Sequence, residues 1–248
     1  MVNIAILGYG KMGKVIEKIA LERGHTIVTI VDPYSEGKEK AITAENMKDV
    51  DVCIDFTHPS TIVENIKQVS ALGKNMVIGT TGWYDHMDEV KAIVEKAGNG
   101  VLWSGNFSLG VHALFRITKY ASKVFNKLED YDVCVCEYHH GKKADSPSGT
   151  AHMIGKIILK EIDRKDTEVT EKLDRPIKEN EVHVASVRGG AFPGTHTISY
   201  DSPVDTIEIK HTARGREGFG TGAVMGAEFI ASKKGFYDIN DLMKNILG

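Results

Sequence analysis

The tightest constraint on the fold lies in the first thirteen residues. Val2–Leu7 is an apolar run of β-formers, and Gly8-Tyr9-Gly10-Lys11-Met12-Gly13 follows at once. Behind it Met12, Val15, Ile16, Ile19 and Ala20 recur on one face at helical spacing. A G-x-G-x-x-G set between strand and helix allows a tight turn and lets a pyrophosphate approach the helix N-terminus. A second strand, Thr26–Val31, ends in Asp32, nineteen residues after Gly13. An acidic residue at that place can bind both hydroxyls of an adenosine ribose.

The alternation continues. Val52–Asp55 reads as a strand, Ser60 as the cap of a helix running to about Leu72, and Asn75–Ile78 as the next strand. A helix over Asp85–Ala97 and a strand over Gly100–Ser104 follow. This spacing predicts an α/β fold with a doubly wound, Rossmann-like parallel sheet. Ligands of such sheets sit beyond the carboxyl ends of the strands. Phe56-Thr57, Gly79-Thr80-Thr81 and Ser104-Gly105-Asn106-Phe107 fall there, with small polar residues able to line a nicotinamide and its ribose.

After Asn106 the pattern changes. Ser108 to about Phe125 reads as one long helix, and Val133–Cys136 as a strand. The stretch Glu137–Thr150 then packs His139, His140, Lys142 and Lys143 ahead of a small-residue turn and a helix over Ala151–Lys160. Pro147 blocks an earlier helix start and Ser148 is a good N-cap. The free amides of Gly149 and Thr150, with the positive end of the helix dipole, can hold a carboxylate. Lys143 adds a point charge, and a neighbouring histidine can give a proton near neutral pH. A metal shared by His139 and His140 is disfavoured, because adjacent strand residues point to opposite faces. A Ser148/His139/Asp145 triad lacks the G-x-S-x-G elbow. Asp163 to Asn180 reads as a polar surface excursion. Val182–Arg188, Thr195–Tyr200 and Thr206–His211 read as an antiparallel meander, a second domain whose open face suits pairing with a copy of itself. Phe219–Lys233 is helical in pattern and is expected to return to the first domain.

Composition narrows the class. A net charge of −3 gives no reason to expect nucleic acid or membrane partners. No apolar run reaches membrane-spanning length, and the N-terminal residues read as a strand, not a signal peptide. Three cysteines, Cys53, Cys134 and Cys136, suit reduced thiols in a cytoplasmic protein.

Several stretches together resemble the dihydrodipicolinate reductase family (4-hydroxy-tetrahydrodipicolinate reductase). They are Gly8–Gly13, Asp51–Thr57, Val77–Gly82, Gly105–Val111, Glu208–His211 and above all Glu137–Thr150, which matches the family's E-x-H-H-x-x-K-x-D-x-P-S-G-T signature. The resemblance spans the chain. It implies a homotetramer, with a dinucleotide-binding domain over 1–107 and 217–248 and a substrate-binding and tetramerisation domain over 108–216. The latter is expected to be α+β with a mixed, largely antiparallel sheet. It implies hydride transfer from NADH or NADPH to a small cyclic imine dicarboxylate in lysine and diaminopimelate biosynthesis. Carried over by motif, His139 looks like the proton donor and Lys143 like its catalytic partner. His140, Ser148, Gly149, Thr150 and Arg216 look like substrate contacts. Gly8, Tyr9, Gly10, Lys11, Met12, Gly13, Asp32, Phe56, Gly79, Thr80, Thr81, Ser104, Gly105, Asn106 and Phe107 look like cofactor contacts, and no metal is expected.

Two positions depart from the family pattern. Ser146 stands where many members have alanine. Pro33 and Tyr34 follow Asp32 where members favouring NADPH tend to carry an arginine, so NADH is expected to serve at least as well as NADPH; Lys11, Lys14 and Lys38 are the candidates to offset the charge of Asp32. Other readings fit parts of the chain: a reductase of another imino or keto acid, a nucleotide sensor without turnover, and a hydrolase built on Ser148. Only the reductases need an acid poised beside an anion cradle.

Overall fold

The computed structural model describes residues 1–247. The chain divides into two compact units, Met1–Leu109 with Arg216–Gly248, and Gly110–Gly215. The sequence boundaries fell after Phe107 and after Arg216; the units divide after Leu109 and before Arg216.

The first unit opens with β1 (Asn3–Leu7), α1 (Lys11–Glu22), β2 (Thr26–Val31) and β3 (Val52–Asp55). It continues with α2 (Ile62–Ala71), β4 (Asn75–Ile78), a short 3-10 turn, α3 (Met87–Ala97) and β5 (Gly100–Trp103). The second unit is built from α4 (Leu109–Phe125, whose first residue belongs to the first unit), β6 (Asp132–His139), α5 (Gly149–Glu161) and β7 (Thr167–Val169), then β8 (Glu181–Arg188), β9 (Thr195–Asp201) and β10 (Thr206–Thr212). The chain then returns to the first unit with α6 (Glu217–Ile230), β11 (Gly235–Asp238) and α7 (Ile239–Leu247).

Six parallel strands in the order β11-β5-β4-β3-β1-β2 form the first sheet. Its inner strands are apolar because both faces are covered. Ile4, Ile6, Ile54, Val77 and Leu102 pack on one side with Ile16 and Ile19 of α1, Val224 and Ile230 of α6, and Leu242 of α7. Ala5, Leu7, Cys53, Met76 and Ile78 pack on the other with Ile62 and Ile66 of α2 and Val90 and Val94 of α3. Strand β11 and helix α7 are additions that the sequence reading did not contain. The helix expected from a Ser60 cap starts at Ile62, with Thr61 in the N-cap position and no side-chain cap. Ser60 is drawn instead into a local turn, its hydroxyl 2.9 Å from Nδ1 of His58.

The second sheet runs β10-β9-β6-β8-β7. It is mixed: β9 lies antiparallel to β10 and β6, while β8 lies parallel to β6 and β7. The simple meander expected over residues 182–211 is therefore corrected. Strand β6 inserts between β8 and β9, because its alternate residues Val133 and Val135 carry the core that both neighbours share with α5. The excursion over 163–180 contributes edge strand β7. Against one face Ile154 and Ile158 of α5 pack with Val182, Val184, Ile198 and Tyr200. Tyr200 stacks on Phe125 at 4.2 Å between ring centroids and its hydroxyl meets Ser122 Oγ at 2.8 Å.

Helix α6 is glycine-rich because it runs against backbone. A Cβ on Gly222 would lie 1.8 Å from the carbonyl oxygen of Phe107, whereas one on Gly218 would meet only Ser108 Oγ at 3.7 Å. Gly222→Ala should therefore lower stability by about 1–3 kcal/mol, the usual cost of overpacking, while Gly218→Ala should be neutral or slightly stabilising. Urea midpoints of the two variants measured together check this; equal midpoints would contradict it.

Candidate active site

In the first unit the turn from β1 to α1 carries out what its glycines suggest. Gly8 has φ of +87°, and a Cβ there would sit 2.6 Å from the carbonyl oxygen of Phe56. A Cβ on Gly13 would fall 2.2 Å from the carbonyl oxygen of Gly8. Gly10 differs: it is the N-cap of α1, with ordinary φ of −76°, and open space lies where its Cβ would be. No side chain among the described residues caps that helix, which leaves its first-turn amides facing an open side.

Asp32 closes the same turn. Its Oδ2 accepts from the backbone N–H of Tyr9 at 2.6 Å, and its Oδ1 from those of Tyr34 and Ser35 at 2.8 and 3.1 Å. Partial burial pushes its pKa up, but these amides outweigh that and hold it below the ordinary range. It is thus a fixed negative charge at the end of β2. A cleft of about 690 Å³ opens beside it, lined by Gly8, Gly10, Asp32, Tyr34, Lys40 and Asn65 among others. A second of about 390 Å³ lies across Gly10, Lys11, Met12, Phe56, Gly79, Thr80 and Thr81. The two clefts meet at the glycine turn, so an elongated ligand with an anionic middle fits them. Lys38 Nζ stands 4.4 Å and Lys14 Nζ 5.7 Å from the centre of the Tyr9 ring, whose hydroxyl bonds Glu17.

Sequence reasoning missed Asp55. It is fully buried at the end of β3. Its carboxylate accepts from Thr57 N–H at 3.0 Å and Oγ1 at 2.8 Å, Thr80 Oγ1 at 2.7 Å and Asn65 Nδ2 at 2.9 Å. Burial pushes its pKa up against those bonds. It locks the loops after β3 and β4 to each other, so Thr80 and Phe56 are held where the cleft needs them. Gly79 leaves room for the Phe56 ring, which a Cβ would approach to 2.2 Å. After β5 the Ser104 hydroxyl donates to the Asn106 carbonyl at 2.7 Å, and a Cβ on Gly105 would press on the Tyr84 hydroxyl at 2.8 Å. Phe107 is in the core at 1 % exposure, packed with the inner strands and α6, so this expected contact is covered.

In the second unit, β6 runs on past Cys136 to His139. Its alternation turns Glu137 and His139 inward and leaves Tyr138 and His140 exposed. Glu137 is fully buried, and its Oε1 accepts from Ser148 N–H at 2.9 Å, Ser186 Oγ at 2.9 Å and Arg188 Nη2 at 2.7 Å. Its Oε2 stands 3.0 Å from His139 Nδ1 and 3.5 Å from His196 Nε2. Burial pushes the Glu137 pKa up, but His196, Ser148 and Arg188 hold it far below the carboxylate range. For His139, burial lowers the pKa and the Glu137 charge only partly restores it. Gly194, at φ of +140°, passes over the His139 ring; a Cβ there would reach Nε2 at 2.9 Å.

Ser148 caps α5 as the sequence predicted, accepting from Ala151 N–H at 3.2 Å. Gly149 is exposed, with open space where a Cβ would be, and Thr150 is half-buried. Lys143 Nζ is paired with Asp145 Oδ1 at 2.7 Å. His139, Lys143, Ser148, Gly149 and Thr150 thus belong to one unit, and Arg216, exposed at the N-cap of α6, to the other. Ser186, Arg188, Gly194 and His196 were not found in the sequence. Only strand register reveals them: Glu137 stands opposite Ser186 on β8 and His196 on β9.

The family models of dihydrodipicolinate reductase match residues 2–107, as its N-terminus, and 110–243, as its C-terminus. The chain belongs to the dihydrodipicolinate reductase family. Within that family it is 37 % identical over 244 residues to the 4-hydroxy-tetrahydrodipicolinate reductase of Christiangramia forsetii, covering 98 % of both chains. It is 34 % identical over 261 residues to that of Archaeoglobus fulgidus, covering 98 % of this chain and all (100 %) of the relative. A dipicolinate-bound dihydrodipicolinate reductase from Paenisporosarcina sp. TG-14 has the same fold, with a TM-score of 0.76 at 22 % identity over 96 % of this chain and 97 % of that one.

The open space at Gly10 separates binding from folding. Gly10→Val should cost the fold only the exchange of a fair N-cap for a poor one, about 1 kcal/mol, yet weaken nicotinamide dinucleotide binding by roughly tenfold or more, about 1.4 kcal/mol. Gly13→Val should damage both. Calorimetric titration with a melting curve on each variant checks this, and undiminished binding by Gly10→Val would place the pyrophosphate elsewhere.

Proposed function

We propose that this reductase converts 4-hydroxy-tetrahydrodipicolinate, or dihydrodipicolinate, to tetrahydrodipicolinate in lysine and diaminopimelate biosynthesis. The observation that carries the reading is the full-length family relationship together with a complete E-x-H-H-x-x-K-x-D-x-P-S-G-T stretch. It is an NAD(P)H-dependent oxidoreductase. When bound, the dinucleotide supplies the hydride. The residues that would hold it are the glycine turn from Gly8 to Gly13, Asp32 on the ribose, and Phe56, Gly79, Thr80, Thr81 and Ser104–Phe107 along the strand ends. The open side of Gly10, the uncapped α1 terminus and the paired clefts fit such a group.

His139 gives the proton. Its ring stands between Glu137 Oε2, 3.0 Å from Nδ1, and the backbone at Gly194, which packs against Nε2 and limits the ring's direction. Lys143 exchanges Asp145 for a substrate carboxylate, and the amides of Gly149 and Thr150 at the α5 N-terminus hold the same charge. His140 and Arg216 add further contacts to the dicarboxylate. Ser148 shapes the cradle, since its amide is committed to Glu137 and its hydroxyl to the helix cap.

NADH serves at least as well as NADPH, because the fixed charge of Asp32 repels a 2′-phosphate. The opposing effect would have to come from Lys38 or Lys14, which lie over Tyr9. Four chains assemble through the second sheet, whose outer face exposes Tyr138, Val187 and Cys134. The assembly works in the cytoplasm without membrane or nucleic acid partners; no helix among the described residues is long and apolar enough to cross a membrane.

One assay tests the reaction: loss of nicotinamide absorbance with substrate made in place by the preceding enzyme, with NADH and NADPH side by side. Turnover with kcat/KM for NADH equal to or above that for NADPH is expected. Nucleotide binding without turnover would favour the sensor reading, and a strong NADPH preference would remove the role given to Asp32. In the same assay His139→Gln should lose roughly 10²–10⁴-fold in kcat, and Lys143→Ala should suffer in both kcat and KM. Light scattering should read a four-chain mass.

A further inference from the structure

Glu137, His139 and His196 are all less than a tenth exposed, and each offers one donor atom such that all three lie within 4.8 Å of one another. Their backbone positions are set by the strand ladder. Glu137 and His139 are two apart on one face of β6, and His196 faces Glu137 across the ladder on β9. The carboxylate is held from behind, since three donors saturate Oε1. Its Oε2 has no hydrogen bond among the described residues, and neither has Nδ1 of His139, although they stand 3.0 Å apart. A carboxylate and a ring nitrogen at that distance but out of line are not sharing a proton. They are arranged as neighbours around a third body.

We propose that Glu137 Oε2, His139 Nδ1 and His196 Nε2 form a binding site for a divalent transition metal, Zn²⁺ fitting best. Ligands about 2.0–2.1 Å from such an ion are about 2.9–3.4 Å apart at right-angled to tetrahedral geometry. The observed separations from Oε2, 3.0 and 3.5 Å, are within a tenth or so of that range. Two imidazoles and one carboxylate select zinc-like ions over magnesium or calcium, which prefer all-oxygen sites. Arg188 and the Ser148 and Ser186 donors orient the carboxylate as outer partners of a metal ligand do. The ion displaces only the contact of His196 Nε2 with Ser148 Oγ, at 3.2 Å. The consequence rests on the proposed role of His139: an ion on Nδ1 takes the place of the proton that would complete an imidazolium, so zinc switches the reductase off reversibly.

The test uses the full chain, stripped with a chelator and dialysed. Equilibrium dialysis against zinc chloride should retain a single ion per chain, and cobalt chloride should give the visible bands of a low-coordinate Co²⁺ site. Both readouts need neither nicotinamide nor substrate, so they stand if the assigned reaction is wrong. His196→Gln should weaken zinc retention roughly tenfold or more; His139→Gln is the second variant should the first fail to fold, as judged by circular dichroism. Saturating zinc should lower turnover at least about tenfold, with recovery on chelation. No retained zinc, or retention unchanged in both variants, overturns the site. A thiolate-to-cobalt band in the near ultraviolet would assign the ion to Cys134 and Cys136 and overturn it equally. Zinc bound as expected with turnover unaffected overturns the switch.

Discussion

The second unit depends on one buried charge. Glu137 sits where no water reaches, and an ionised carboxylate there is tolerable only because every approach to Oε1 is a donor. Those donors come from distant parts of the chain: β8 supplies Ser186 and Arg188, and the turn before α5 supplies Ser148. Arg188 also reaches the carbonyl of Asp145 at 2.6 Å, so the same guanidinium ties the lysine-bearing loop to the sheet. The conformation of the anion cradle and the direction of the His139 ring therefore share one electrostatic anchor. Were that carboxylate lost, the half-buried guanidinium would keep the Asp145 carbonyl but lose its counter-charge.

The first unit solves a different problem. Its glycine turn must bring backbone close to a phosphate and still be rigid. Gly8 and Gly13 serve rigidity, since each lets the turn lie against backbone oxygens, while Gly10 serves access. Asp32 and Asp55 show how polar residues hold such a surface. Each carboxylate collects neutral donors from the loops it joins, so the loop after β1 is tied to that after β2, and the loop after β3 to that after β4, without a single ion pair among these contacts.

Much of this was legible in the amino-acid order. The strand and helix alternation from Val2 to Trp103 follows from apolar periodicity, and Ser148 announces the start of α5 through the proline before it. What stayed hidden has a common cause. The insertion of β6 between β8 and β9 is a matter of pairing, which local pattern does not encode, so His196, Ser186 and Arg188 could not be joined to Glu137 before the register was known. Likewise Ser60 is as good a capping residue as Thr61, and its hydroxyl is engaged by the ring of His58 instead. Strand β11 is four residues long and begins at a glycine of positive φ, too short to stand out beside the helices that flank it.

That short strand has a bearing on how the molecule is made. Strand β11 pairs with β5, and α6 and α7 supply Val224, Ile230, Leu242 and Met243 to the core beneath β1, β3, β4 and β5. A ribosome that has released the first hundred or so residues has produced a sheet that only α1 covers on one side. The second unit, by contrast, is a single unbroken segment whose core is drawn entirely from itself. The order of synthesis and the order of consolidation thus run opposite ways: the middle of the chain can set while its beginning still waits for its end.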